Sequence, residues 1–271
     1  MIFCRNPMQL WKLTLAYDGT AFHGWQVQPH LPTVQGAMAS AIRQICGEDL
    51  LPQGSGRTDT GVHALGQVAS FELQVPIPPA NFLRALNRKL PSSIRVLSAE
   101  HAGPGFHARH SALRKTYEYR LFPGKAPGGG ASEELICSPF VARYAWDCPW
   151  PFSLGRAQEA ARTVVGEHDF ASFAASDPDR ATRTNGEVPP TVRTIFKSEW
   201  RQEGELFVYQ VMGSGFLHHM VRNLVGTFVD VAAGRLEPDS IARILALRDR
   251  SAAGATAPAR GLFLIGVEYI I

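Results

Sequence analysis

Cysteine is scarce in this chain. The 271 residues hold four, Cys4, Cys46, Cys137 and Cys148, and none falls in a CxxC pair. That spacing argues against a disulfide framework and a thiolate zinc site, and reduced thiols are expected. No apolar run approaches the roughly 18 residues that a membrane-spanning helix requires. The opening residues, MIFCRNPMQLW, are too polar and too short for a secretory leader, so the expectation is a cytoplasmic protein without membrane attachment. Neither sign of charge dominates: 27 Lys and Arg stand against 24 Asp and Glu. A net charge of +3 permits a polyanionic partner without demanding one.

What is present is a globular composition, 45% hydrophobic and 19% charged, long enough for one large domain or two of about 130 residues. WKLTLAY alternates apolar and polar positions as a strand does. Thr33 is placed to cap a helix carrying Val34, Met38, Ala41, Ile42 and Ile45 on one side, with Gly47 as its stop. GQVASFEL reads as a strand, PPANFLRALNRKLP as a helix, and IRVLSAEHA and HSALRKTYEYRLF as strands. After the Gly- and Pro-rich GKAPGGGASEE the pattern restarts. FVARYAW reads as a strand, Ser153 as the cap of a helix, and VRTIFKSEW with LFVYQVMG as a hairpin. Two helices follow, in LHHMVRNLVGTFVDVAAG and PDSIARILALRDR, and LFLIGVEYI closes the chain as a strand. Strands adjoin strands as well as helices, which points to α+β with mostly antiparallel pairing. The succession fits two ferredoxin-like halves, residues 1–122 and 141–271, joined through a central sheet with a cleft between them. Residues 123–140 form the linker.

The chemistry concentrates in GSGRTDTGVHALGQVASF, residues 54–71, where Asp59 sits between Arg57 and Gly61. A surface turn explains such a loop taken alone. Its glycine pattern is no P-loop, because no Gly-Lys-Ser/Thr follows and the next segment reads as strand. The pairs His107/His110 and His218/His219 lack the His-x3-His spacing of a helical metal site, so no metal is expected. No second carboxylate is selected by spacing, as a glycosidase would need. Arg57 nearby would keep Asp59 ionised, which suits a nucleophile better than a general acid. Between His107 and Lys125, five cations and Tyr117, Tyr119 and Phe122 interleave against the single Glu118. That is the make-up of a strand that touches phosphates and stacks bases.

Seven segments, in order, resemble the tRNA pseudouridine synthase A family: YDGTAFHGWQ (17–26), the 54–71 stretch, FHARHSALRKTYEYRLF (106–122), EHDFASF (167–173), VRTI (192–195), GSGFLHHMVRNLVGTFVDVAAGR (213–235) and APARGLFLIGVEY (257–269). The likeness covers nearly the whole chain from Trp11 on, apart from GKAPGGGASEE and parts of 174–190, and RTDTGVHA with FLHHMVRN and GLFL is its most specific part. The sequence departs from the family at Thr60, where alanine is common. The resemblance implies isomerisation of uridine to pseudouridine at positions 38, 39 and 40 of the tRNA anticodon stem-loop, with no cofactor or metal, by a homodimer. Asp59 would be the nucleophile and Arg222 its partner. Tyr117 would stack on the flipped uracil, and Arg57 would fill the vacated space or hold a phosphate. Leu262 and Leu264 would line the pocket or belong to the core. Attack at the sugar C1′, an adduct at uracil C6 and a glycal route are all compatible with one carboxylate. A non-catalytic RNA-binding module is the rival reading, and a metal-dependent RNA hydrolase a third.

Overall fold

The computed structural model describes residues 8–124, 135–176 and 190–270. Within β1 (Gln9–Tyr17) the side chains of Trp11, Leu13, Leu15 and Tyr17 are buried while their neighbours are partly open, the alternation of a sheet with one face on the core. Helix α1 (Val34–Cys46) begins where the Thr33 hydroxyl accepts a hydrogen bond from the Gly36 N–H, and ends at Gly47, whose φ of 73° is left-handed. Then come β2 (Gln53–Gly54), β3 (His63–Leu73), α2 (Pro79–Lys89), β4 (Ile94–His101) and β5 (Ala112–Pro123). Beyond these lie the four-residue α3 (Pro139–Ala142), β6 (Trp146–Cys148), α4 (Leu154–Arg162) and β7 (Gly166–Asp169). A hairpin of β8 (Val192–Glu203) and β9 (Leu206–Gly213) leads to α5 (Met220–Ala232), α6 (Ser240–Leu247) and β10 (Leu262–Tyr269).

The architecture is mixed α and β with mostly antiparallel pairing, and the chain divides into two compact units. One holds the residues up to Lys115 and those from Phe263 onward; the other is Thr116–Leu262. In the first unit, β1 lies between β4 and β3, antiparallel to both. The other edge of β3 is shared. Its later residues take β2 at Gln53↔Ser70, and its first residues take β10 in parallel at Phe263↔His63. In the second unit the strand order is β5-β9-β8-β7, with β6 parallel on β5 at Leu121↔Trp146. Its core is aromatic: Phe152 stacks on Phe207 at 4.6 Å, and Tyr209 meets Phe228 edge-on at 5.3 Å.

Most elements follow the sequence pattern, and three depart from it. FVARYAW is not a continuous strand. Pro139 occupies the first position of α3, where its fixed φ suits a helix, and only Trp146–Cys148 pairs as strand. The helix expected from Leu217 starts at Met220, because His219 holds a left-handed φ of 58°. That expected at Pro238 starts at Ser240. GKAPGGGASEE after Gly124, and SDPDRATRTNGEVPP between Ser176 and Pro190, lie outside the described residues.

Helix α5 packs at backbone contact on the segment before β10. A Cβ built on Gly226 would lie 1.7 Å from the Ala255 carbonyl oxygen, a distance no side-chain shift relieves. Gly155 in α4 faces open space, with nothing within 4 Å of its built Cβ. Gly226→Ala is therefore expected to cost about 3 kcal/mol or more of unfolding free energy. Gly155→Ala is expected to be neutral or to stabilise by up to about 1 kcal/mol. Urea unfolding of both variants checks the pair, and equal midpoints would contradict it.

Candidate active site

Residues 55–62 form the turn between β2 and β3 that carries Asp59, and few of their own backbone groups bond one another. The Asp59 carbonyl accepts from the Val62 N–H at 3.1 Å. Further support comes from YDGTAFHGW, the segment leaving β1. The Trp25 N–H donates to the Thr58 carbonyl at 3.0 Å, and the Gly61 N–H to the Phe22 carbonyl at 3.3 Å. Gly24, at φ 83°, permits the first of these: a Cβ there would sit 2.5 Å from the Thr58 carbonyl oxygen. At the far end of the turn the Gly19 N–H donates to Nδ1 of His63 at 3.0 Å, and the Asp18 carboxylate lies 3.2 Å from the same nitrogen. His63 stacks on Phe263 of β10 at 4.7 Å.

Beneath the turn lies a buried polar cluster. The Gln67 amide is fully buried on β3, and its hydrogen-bonding capacity is engaged. Nε2 donates to the Gly56 carbonyl at 2.9 Å and reaches the Tyr17 hydroxyl at 3.4 Å. Oε1 accepts from the Ser55 hydroxyl at 2.6 Å and from the Val68 N–H at 3.1 Å. The set fixes which way the amide points, since a flip would turn its oxygen toward the Gly56 carbonyl. Tyr17 in turn pairs with the Thr58 hydroxyl at 2.8 Å. Burial pushes the Tyr17 phenol up to about 12, against the opposing pull of its bonds to Thr58 and Gln67. It is therefore neutral at physiological pH and keeps its proton for hydrogen bonding. Lys115 Nζ donates to the Ser55 carbonyl at 2.6 Å, tying the first residues of β5 to the start of the turn. Above this base Asp59 is half-buried and Arg57 exposed.

The remaining expected residues, Leu264 apart, belong to the second unit. Tyr117 is buried on β5, and its ring meets Phe216 edge-on at 5.0 Å. Arg222 is half-buried on α5, and its Nε donates to the Ala257 carbonyl at 2.8 Å. The Ala257 N–H returns a bond to the Arg222 carbonyl at 3.1 Å. Asn223, one residue on, is fully buried: it donates to the Phe173 carbonyl at 2.7 Å and accepts from the Thr256 hydroxyl at 2.6 Å and from Arg250 at 3.0 Å. Tyr119, two residues beyond Tyr117 on β5, donates to the Pro258 carbonyl at 2.8 Å. Burial raises its pKa far above the usual tyrosine range, over the opposing pull of Arg222 and Arg260. Gly261 lets the chain pass against this ring, where a Cβ would come within 2.8 Å of ring carbons. Leu262 and Leu264 are both buried.

Asp59 and Arg57 thus share one unit, and Tyr117, Arg222 and Leu262 the other. The sequence reading passed over Tyr17, Ser55 and Gln67. Gln67 does leave a trace in sequence: an amide stands in an otherwise apolar strand run, GQVASF, where a buried polar group has to be bonded.

The comparisons with known proteins are specific. The family model for tRNA pseudouridine synthase matches residues 14–111 and 160–270. A tRNA pseudouridine synthase A from Solibacter usitatus is 47% identical over 258 residues, covering 95% of this chain and 98% of its own. Proteins of the same name from Maridesulfovibrio salexigens and Bacillus subtilis are 43% and 39% identical, covering 97% and 95% of this chain and 91% and 98% of their own. Family model and relatives agree over nearly the whole length, and the chain belongs to the tRNA pseudouridine synthase family.

Proposed function

We propose that this enzyme isomerises uridine to pseudouridine at positions 38, 39 and 40 of the tRNA anticodon stem-loop, with Asp59 as the nucleophile. The reaction breaks the bond from uracil N1 to ribose C1′ and makes one from C5 to C1′. N1 gains a proton and C5 releases its own to water. Atoms and electrons balance without an oxidant or reductant. A base within a stacked stem must first be turned out of the helix, at a cost of a few kcal/mol.

The observation that carries this reading is the way the Asp59 turn is held. A half-buried carboxylate stands on a turn braced from beneath by buried and part-buried hydrogen bonds, which is the preorganisation a positioned nucleophile needs. A surface turn has no use for that base. Tyr117 is the proposed base-stacking residue, and its edge-on contact with Phe216 supports that role by fixing the plane of its ring. Arg222 serves the chemical step. Its Nε bond to Ala257 sets the plane of its guanidinium, and a cation so oriented stabilises negative charge at a defined place. Arg57 takes the vacated space or a phosphate, and Leu262 supplies apolar wall. Each unit is read as a ferredoxin-like module. The first follows β1-α1-β2-β3-α2-β4 with strand order β4-β1-β3-β2; in the second, β5, α4, β8, β9 and α5 follow the first five steps of that succession, with β7 inserted before β8. The family resemblance further implies a cytoplasmic homodimer, which light scattering of the purified protein would test.

Tritium release from tRNA labelled at uridine C5 reports the isomerisation and not strand cleavage. Asp59→Ala is expected to lower it by at least about a thousandfold while tRNA binding persists. Wild-type release by this variant would remove Asp59 from the chemistry. Arg222→Ala is expected to slow single-turnover release about a hundredfold with tRNA affinity changed by less than about threefold. Equal losses in rate and affinity would make Arg222 a docking residue. tRNA affinity is also expected to fall roughly tenfold or more between about 50 and 200 mM salt. An affinity indifferent to salt would count against the cations of His107–Lys125 as the docking surface.

A further inference from the structure

Tyr17 and the segment it begins have no part in the chemistry above, although YDGTAFHGWQ is among the seven stretches that mark the family. The structure gives the segment a mechanical task. Two peptide planes flank the Asp59 Cα, and each has its carbonyl engaged: that of Thr58 by the Trp25 N–H and that of Asp59 by the Val62 N–H. Below them four side chains meet, Tyr17, Ser55, Thr58 and Gln67, each no more than 6% exposed. Their bonds form a chain from Gln67 to Tyr17 at 3.4 Å and from Tyr17 to Thr58 at 2.8 Å, and it ends on the residue preceding Asp59.

Apolar side chains of the same volume would fill this space at less electrostatic cost. They would not set the rotation of the backbone above them, because apolar contact has no direction and a hydrogen bond has. We propose that Tyr17 and Gln67 are positioning residues for the reaction, holding the Thr58–Asp59 peptide at the angle that aims the Asp59 carboxylate. The proposal rests on the reading of Asp59 as the reacting group.

A matched control exists in the second unit. Tyr209 pairs with the Ser198 hydroxyl at 2.8 Å, as buried as Tyr17 and with the same kind of partner, but within the β8–β9 hairpin, where neither residue has a role assigned in the reaction. Tyr17→Phe, Thr58→Val, their double variant, Gln67→Leu, Tyr209→Phe and Asp59→Ala are compared with wild type. Single-turnover tritium release from C5-labelled tRNA, tRNA dissociation constant and thermal midpoint are measured for each. Tyr17→Phe, Thr58→Val and Gln67→Leu are each expected to slow release by about tenfold to a hundredfold with affinity unchanged within about twofold. The Tyr17→Phe/Thr58→Val double variant is expected to be no slower than its slower parent, since both singles cut the same link. Tyr209→Phe should lower the midpoint by a similar amount and leave the rate at the wild-type value.

Equal slowing by Tyr209→Phe and Tyr17→Phe would mean that the rate follows stability, which overturns the proposal. Fully additive losses in the double variant would overturn it too. Loss of rate in Asp59→Ala with none in Tyr17→Phe or Gln67→Leu removes the positioning role alone. A wild-type rate in Asp59→Ala removes the reading of Asp59 and the positioning role with it.

Discussion

A carboxylate carried on a turn points where its two flanking peptide planes direct it, and a turn has no regular ladder to hold those planes. Residues 55–62 meet this constraint with bonds borrowed from elsewhere. The Thr58 carbonyl is held by Trp25, the Gly61 N–H by Phe22, and the Gly56 carbonyl by the buried Gln67 amide. These polar groups are wholly or partly removed from water, and leaving one unpaired would cost the turn stability. The same requirement that satisfies them fixes the turn. Much of the first unit serves it: β1 delivers Tyr17, β3 delivers Gln67, and glycines at 19 and 24 let the two backbones touch.

The second unit meets a related problem by another route. Arg222 stands on a helix, where the backbone is already fixed, and what needs control is a long flexible side chain. Its Nε bond to the Ala257 carbonyl supplies that control, and the 254–257 segment lies against α5 because Gly226 has no side chain to keep it away. Asn223 extends the same device inward, joining α5 to Phe173, Thr256 and Arg250 through one buried amide. In both units a fully buried amide, Gln67 or Asn223, ties a segment bearing an expected site residue to chain that is distant in sequence. Such amides leave little latitude, since replacing one strands several partners at once.

Elements with strong local signals could be read directly. The alternation of β1 and the Thr33 cap with the Gly47 stop of α1 stand in the structure as their residues require. Where the local signal was shared between two outcomes the reading failed. FVARYAW alternates well enough for a strand, yet Pro139 opens its first part as a helical turn, and among the described residues its pairing begins at Trp146. His219 could not be seen as left-handed, because that backbone state is imposed by the turn into α5 and not by histidine.

The sequence by itself determined the strands and helices with clear periodicity, the α+β class and the glycine-framed Asp59. These follow from residue type and spacing along the chain, the quantities a sequence contains. Tertiary structure alone decided that the last strand returns to β3 and that Gln67 and Tyr17 support the turn from beneath. It also decided that Ala257 orients Arg222. Each of those joins groups tens to hundreds of residues apart. A hydrogen bond depends on distance and angle in space, and neither is written in the order of residues until the core has closed around them.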